Sequence, residues 1–224
     1  MSDPSLTPEL VEERLALLRA AFAERTDREV RIVGVTKRHP VPVIAMALDA
    51  GLVDLAENYA QELRAKAAEL GSAAAGTGPV RWHFIGQLQS NKVRLIADDV
   101  SCWQSVDRDG VAEQIARRHP GATVMVQLDL AGIPGRGGCP PGEAAALVDR
   151  CRSLDLDVVG LMGVGAPGTA DEARPGFRTL VSLADELGLP ERSIGMSGDA
   201  LVAVEEGSTM VRLGSALFGP RPAG

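Results

Sequence analysis

Short apolar runs alternate with longer amphipathic stretches along almost the whole chain. The first stretch, Pro8 to Arg25, carries Leu10, Leu15, Leu18 and Phe22 on one stripe at helical spacing. Thr7, just before Pro8, is placed as its N-cap. After this helix, apolar runs at 30–36, 53–56, 81–85, 100–105, 122–129, 157–162, 192–195 and 209–213 read as strands. Helical patterns fall between them, near 41–50, 59–70, 88–97, 108–118, 141–153, 171–187 and 198–206. Strands that are apolar throughout and alternate with helices predict a parallel sheet covered by helices. Eight such units predict a closed (β/α)8 TIM barrel, with an open doubly wound sheet as the alternative. The expected organisation is an extra N-terminal helix over 1–28 and a barrel over 29–222, in a single domain. Gly71–Gly78 and Ala131–Gly142 read as loops, and neither as a domain linker, because the alternation continues across both.

Composition narrows the picture. Aromatic residues are only 3% against 45% hydrophobic, so the core must be built from Val, Leu, Ile, Ala and Met. The net charge is −7 and no basic block interleaves with aromatics, which argues against nucleic acid as a partner. Cys102, Cys139 and Cys151 are odd in number and have no CxxC spacing, so neither a disulfide framework nor a zinc cluster is expected. The polar N-terminus has no signal-peptide core, and no apolar run approaches membrane-spanning length. A reducing, cytoplasmic location is the expectation.

Lysine usage brings in chemistry. The chain has three lysines against twenty arginines. Where a positive charge alone would serve, it uses Arg, so a retained Lys is a candidate for losing its proton and acting as an amine nucleophile. Lys37 ends the first strand run and is placed to form a Schiff base; the plainer reading is compositional bias. Lys66 reads as a solvated helix position. In a parallel barrel the site lies at the C-terminal ends of the strands. There the chain places Thr36-Lys37, Glu57-Asn58-Tyr59, the run Trp82 to Lys92, Gly195 to Asp199, and Gly214-Ser215.

Ser197 precedes a helix expected near Asp199, and Gly214-Ser215 opens another. Helix N-termini suit a phosphate, although ordinary capping by Ser197, Asp199 and Ser215 is the alternative. Arg212 lies in an apolar strand with its side chain expected inside the barrel, where it meets a carboxylate in a structural ion pair or a ligand ring nitrogen. An amine, a phosphate cradle and a buried Arg together fit pyridoxal 5′-phosphate (PLP).

Five ordered segments then resemble the YggS/PROSC family of PLP homeostasis proteins. Thr36-Lys37-Arg38-His39-Pro40 is similar to the family's S/T-K-x-x-P, and Glu57 to Glu62 resembles its G-E-N-Y-x-Q-E. The stretch Trp82 to Lys92, WHFIGQLQSNK, is a close match, as are Gly195 to Asp199 and Gly207 to Gly219. The resemblance, from about Val30 to Pro222, implies a barrel like the N-terminal domain of alanine racemase. It implies PLP on Lys37, phosphate held by Ser197, Gly214 and Ser215, Arg212 facing the pyridine nitrogen, and Asn58 lining the pocket. Ala56 stands where the family has Gly, and Gly198 where Asp is common.

An Arg beside the pyridine nitrogen does not readily protonate it, which weakens the cofactor as an electron sink. A racemase also needs a second acid–base group opposite the lysine. Tyr59 and His83 are the candidates; the plainer readings are packing at a helix start and a hydrogen-bonded barrel histidine. The resemblance therefore implies a PLP carrier that hands cofactor to apo-enzymes, without robust catalysis, and the lack of length for a second domain makes a monomer the expectation. A weak PLP-dependent amino-acid racemase and a PLP-free Schiff-base aldolase are the alternatives. Lys92 reads as a transient PLP acceptor, an ion-pair partner or a surface charge. His39 and His119, each before a Pro, read as loop residues.

Overall fold

Eight parallel strands pair in sequence order and close on themselves. They are β1 (Arg31–Val35), β2 (Asp54–Glu57), β3 (Arg81–Phe84), β4 (Val100–Val106), β5 (Thr123–Leu128), β6 (Asp157–Gly163), β7 (Glu191–Ser193) and β8 (Met210–Leu213). Closure is made by β1 against β8, with Val33 opposite Arg212 and Gly34 opposite Leu213. The computed structural model describes residues 6–73, 80–133 and 135–220. The closed barrel replaces the open sheet considered from sequence.

Helices cover the outside: α2 (Val41–Asp49), α3 (Ala60–Ala73), α4 (Val93–Ile96), α5 (Asp109–Arg118), α6 (Ala144–Ser153), α7 (Arg174–Glu186), α8 (Ala200–Glu205) and α9 (Ser215–Phe218). Three expected helices start as single 3-10 turns, at Ser90–Lys92, Pro141–Glu143 and Asp171–Ala173. Gly71 to Ala73 continue α3 where a loop was expected, and 74–78 lie outside the described residues. The described residues of 131–142 are irregular apart from one bridge between Leu128 and Cys139 and the turn at Pro141.

The N-terminal helix α1 (Pro8–Ala23) has its expected cap, Thr7 Oγ1 accepting from Leu10 N. It buries Val11, Leu15 and Phe22 and packs on α2, α8 and α9. Its role follows from the brevity of α9. A four-residue helix cannot cover the β8–β1 seam, and α1 supplies the missing apolar surface. Arg14 Nη1 ties the two together by donating to Leu217 O at 2.7 Å.

Two apolar layers result. The larger lies between sheet and helices, with Trp103, Phe84, Phe177 and Phe218 fully buried. The smaller fills the lumen with Val33, Val35, Ala56, Cys102, Met125, Met162 and Met210, so Val and Met do what aromatics cannot at 3%. Among the described residues, no helix is long and apolar enough to cross a membrane.

Candidate functional site

At the C-terminal mouth of the barrel, one cleft of about 430 Å³ is lined by Lys37, Asn58, Ser197, Arg212, Gly214 and Ser215. These are the six candidate residues picked from sequence, brought together from the ends of β1, β2, β7 and β8. Val35, Ile85, Met162, Val164 and Met196 supply apolar walls, and Gly198 also faces the cleft. A side chain at Gly198 would enter open space, so the missing Asp leaves room there. Ala56, the other departure, packs its methyl into the lumen cluster.

Arg136, from the loop after β5, completes the rim. Sequence reading passed over it; the signal was a lone Arg within Gly135-Arg136-Gly137-Gly138. Its Nη1 donates to Gly165 O at 3.3 Å.

Arg212 is 3% exposed. Its Nη1 donates to Ser193 O and Oγ, both at 2.6 Å, and Nη2 donates to Gly163 O at 2.8 Å. The structural ion pair weighed from sequence is not what holds it: every one of these acceptors is neutral. Burial pulls the guanidinium down to about 10, against the opposing field of Asp199. It therefore stays charged at neutral pH and offers the cleft a cation that, among the described residues, has no carboxylate hydrogen-bonded to it.

Ser193 continues a polar thread through the lumen. Its Oγ donates to Gln104 Oε1 at 2.7 Å, Gln104 Nε2 faces His83 Nδ1 at 2.7 Å, and His83 Nε2 faces Asp54 Oδ1 at 3.1 Å. His83 is thus a buried, hydrogen-bonded barrel residue away from the cleft. Tyr59 sits just before α3, 52% exposed, and does not line the cleft either.

The loops after β7 and β8 are stitched together by Ser197 Oγ, which accepts from Ala216 N at 3.3 Å. Ser197 thus caps α9, not the α8 helix that follows it in sequence. Asp199 occupies the N-cap position of α8 without a capping bond; its Oδ1 accepts from Met196 N at 2.5 Å. Ser215 is the first residue of α9, beyond the Gly214 cap. The expected three-residue capping set therefore reduces to Ser197.

Asn58 Oδ1 is buried without a hydrogen-bond partner among the described residues. An orphaned acceptor at a cleft wall asks for a donor from outside the chain. Asn58 is held by the close approach of Gly86, where a Cβ would lie 1.9 Å from Asn58 O. That approach explains the Gly that ends the Trp82–Gly86 run.

Lys66 corrects the sequence reading. It is 6% exposed, not solvated. Its Nζ donates to Thr36 O at 2.7 Å and to Glu57 Oε1 and Glu62 Oε1, each at 2.6 Å. Burial raises the Glu57 carboxyl above its ordinary value against the pull of Lys66 and Thr36. The pairing of Glu62 with Lys66 four residues on was a legible helix signal.

Lys92 is half-buried at the end of its 3-10 turn and lines a neighbouring cleft with Tyr59 and Gln89. His39 is a buried loop residue, edge-on to Phe218, and His119 accepts from Trp103 Nε1 at 3.4 Å. Among the described residues, no group of His, Cys, Asp or Glu has the geometry of a metal site.

An amine, two guanidiniums, a Ser and Gly rim and an orphaned acceptor fit an aldehyde-bearing, phosphorylated heteroaromatic ligand. Comparison with known proteins gives the same direction. The sequence profile described as "Alanine racemase, N-terminal domain" matches residues 11–222. A pyridoxal phosphate homeostasis protein of Pseudomonas aeruginosa is 38% identical over 214 residues, spanning 92% of this chain and 90% of that protein. PipY of Synechococcus elongatus, solved with PLP bound, is 33% identical and superposes with a TM-score of 0.81 over 93% of this chain and 100% of its own. The same protein solved without PLP gives a TM-score of 0.83.

Proposed function

This chain belongs to the family of pyridoxal phosphate homeostasis proteins, built on the alanine racemase N-terminal domain, and on that premise we propose that it binds PLP at the barrel mouth, holds it as a Schiff base on Lys37 and delivers it to apo-enzymes. The observation that carries this reading is the single cleft shared by Lys37, Asn58, Ser197, Arg212, Gly214 and Ser215. When bound, the cofactor supplies an aldehyde that an amine captures reversibly.

The chain's own groups divide the work. Lys37 provides the amine. Ser197, Gly214 and Ser215, joined across two loops, receive the phosphate, with Arg136 adding positive charge at the rim. Arg212 holds a charged N–H donor set toward the pyridine nitrogen and has no proton to spare at neutral pH. Asn58 offers an unused acceptor. Apolar walls from Val35, Ile85 and Met162 exclude water from the ring. Every described residue of the site comes from the one closed barrel, which supports the single domain read from sequence (29–222 after a helical segment 1–28) and a monomer as the working unit.

A carrier is favoured over a racemase by what the cleft lacks. Among its described lining residues there is no carboxylate, imidazole or phenol to act opposite Lys37. Two-base proton transfer at an amino-acid α-carbon needs such a group.

Borohydride reduction of the PLP-loaded protein followed by peptide mapping tests the attachment. The label is expected on Lys37; label on Lys66 or Lys92 overturns it. Transfer of PLP to an apo-enzyme, with no α-proton exchange on alanine or other amino acids, is the expected functional signature. Sustained exchange at catalytic turnover sinks the pure-carrier reading in favour of the racemase.

A further inference from the structure

Lys37 is flanked by two residues whose backbones are both pinned by one buried cluster. On its N-terminal side, Thr36 O accepts from Lys66 Nζ at 2.7 Å, and Thr36 Oγ1 donates to Glu57 Oε1 at 2.7 Å. On its C-terminal side, the Arg38 N–H donates to Glu62 Oε1 at 2.5 Å. Lys66 Nζ bridges the two halves by reaching both carboxylates at 2.6 Å. Thr36 and Glu57 are fully buried and Lys66 nearly so.

Arg38 has φ of 64°, in the left-handed region that L-residues with a Cβ avoid. Such a conformation persists only where its surroundings over-determine it. Here the determinant is visible: Glu62 holds the amide of Arg38, and Lys66 holds both Glu62 and the carbonyl two residues upstream.

The cluster also explains why this cation is a lysine in a chain that otherwise uses Arg. An ammonium has three N–H donors, and each finds an acceptor: Thr36 O, Glu57 Oε1 and Glu62 Oε1. A guanidinium would bring five donors into the same space and leave some buried and unpaired.

We propose that Glu62 and Lys66 are positioning residues for Lys37, pinning Thr36 O on one side and the left-handed Arg38 on the other so that the turn directs the Lys37 amine into the cleft. The inference rests on the reading of Lys37 as the PLP attachment point. It goes beyond that reading by assigning a role to two residues outside the cleft lining.

The test uses a rescue that a merely structural role would not show. Glu62→Ala removes the acceptor for the Arg38 amide, and Glu62→Gln keeps an acceptor oxygen. Glu62 is partly exposed, so both variants are suited to folding, checked by thermal unfolding. PLP affinity and the rate of borohydride trapping at Lys37 are expected to fall about tenfold in Glu62→Ala and to stay near the parent in Glu62→Gln. Adding Arg38→Gly to Glu62→Ala is expected to restore most of the loss, because Gly adopts positive φ freely.

Unchanged loading in Glu62→Ala overturns the proposal. So does a loss that Arg38→Gly fails to rescue, since that would make the cluster a general stabiliser. Trapping of the parent at a lysine other than Lys37 is a separate failure: it removes the underlying reading, and is seen before any variant is made.

Discussion

Arg212 and Asp54 stand at opposite ends of one hydrogen-bond chain through the barrel lumen, running Arg212–Ser193–Gln104–His83–Asp54. Every donor points the same way, from the buried cation toward the carboxylate. With Gln104 Nε2 donating, His83 Nδ1 must accept, so the ring carries its proton on Nε2 and gives it to Asp54. Gln104 is the central link, 0% exposed, and its Nε2 also reaches Met210 Sδ at 3.1 Å. Gln104→Leu would strand the Ser193 hydroxyl and His83 Nδ1 in a dry lumen. The expected loss is about 1–3 kcal/mol of unfolding free energy, read from urea denaturation. An unchanged midpoint would mean that the thread contributes nothing.

Asp54 and Glu57, at the two ends of β2, are shifted in opposite directions from their ordinary values. Burial alone would raise Asp54, but hydrogen bonds from His83 and Arg81 outweigh it and hold the carboxyl below its ordinary 3.8. Its contribution to stability is present above pH 3.8 and is lost as pH falls through the lower folded value. For Glu57 burial wins, and the carboxyl lies above its ordinary 4.5. Its contribution is complete below 4.5 and is lost as pH rises through the higher folded value. Asp54→Asn should therefore flatten the acid limb of the stability profile, and Glu57→Gln the decline above pH 4.5. Urea midpoints measured from acid to neutral pH check both slopes.

Gly86 couples strand geometry to the site. A Cβ there would meet Asn58 O at 1.9 Å and Asn58 C at 2.7 Å, both backbone atoms that cannot step aside by rotamer change. Gly86→Ala must push the end of β2 away from β3 and take Asn58 with it. Weaker PLP binding together with a lowered melting temperature is the expected pair of results. A variant that melts lower but binds PLP as the parent would separate Asn58 from the ligand.

Burial dominates all three thiols. Cys102 and Cys151 are pushed up to about 12, and Cys139 to about 11. Against the ordinary 9.0, a value of 12 lowers the thiolate fraction at neutral pH about a thousandfold. A thiol–disulfide reagent should leave the native protein unlabelled and modify all three after unfolding. Rapid labelling of native protein at any of them would show that the core opens there.

The barrel was legible because its signal is periodic and long-range consistent. Each of the eight apolar runs became a strand, shifted at most a residue or two at its ends. The six cleft residues were legible because a parallel barrel sends every strand end to one mouth. Lys66 was legible only in part: the Glu62 pairing four residues back is a helix signal, but nothing in the stretch marks the strand-end acceptors Thr36 O and Glu57 that bury it. The capping role of Ser197 was hidden for the same reason. Its partner Ala216 is distant in sequence, and adjacency in the chain pointed to the wrong helix. Arg136 was lost in a glycine-rich loop whose path depends on contacts with Gln127 and Gly165.

Arg136 gives the sharpest test of the rim. It is exposed, and among the described residues its guanidinium has one long bond, to a carbonyl, so removing it should leave the fold intact. A charge-assisted contact to a phosphate contributes about 1.5–3 kcal/mol when well made, and less at an exposed edge. Arg136→Ala is therefore expected to weaken PLP binding about tenfold, with the melting temperature of the ligand-free protein unchanged. Salt sharpens the comparison. The parent should lose affinity as ionic strength rises, because the attraction at the rim is screened, and Arg136→Ala should lose less. Spectrophotometric titration of both proteins with PLP at low and high salt provides the measurement. Equal salt dependence in the two would place Arg136 outside the phosphate's reach.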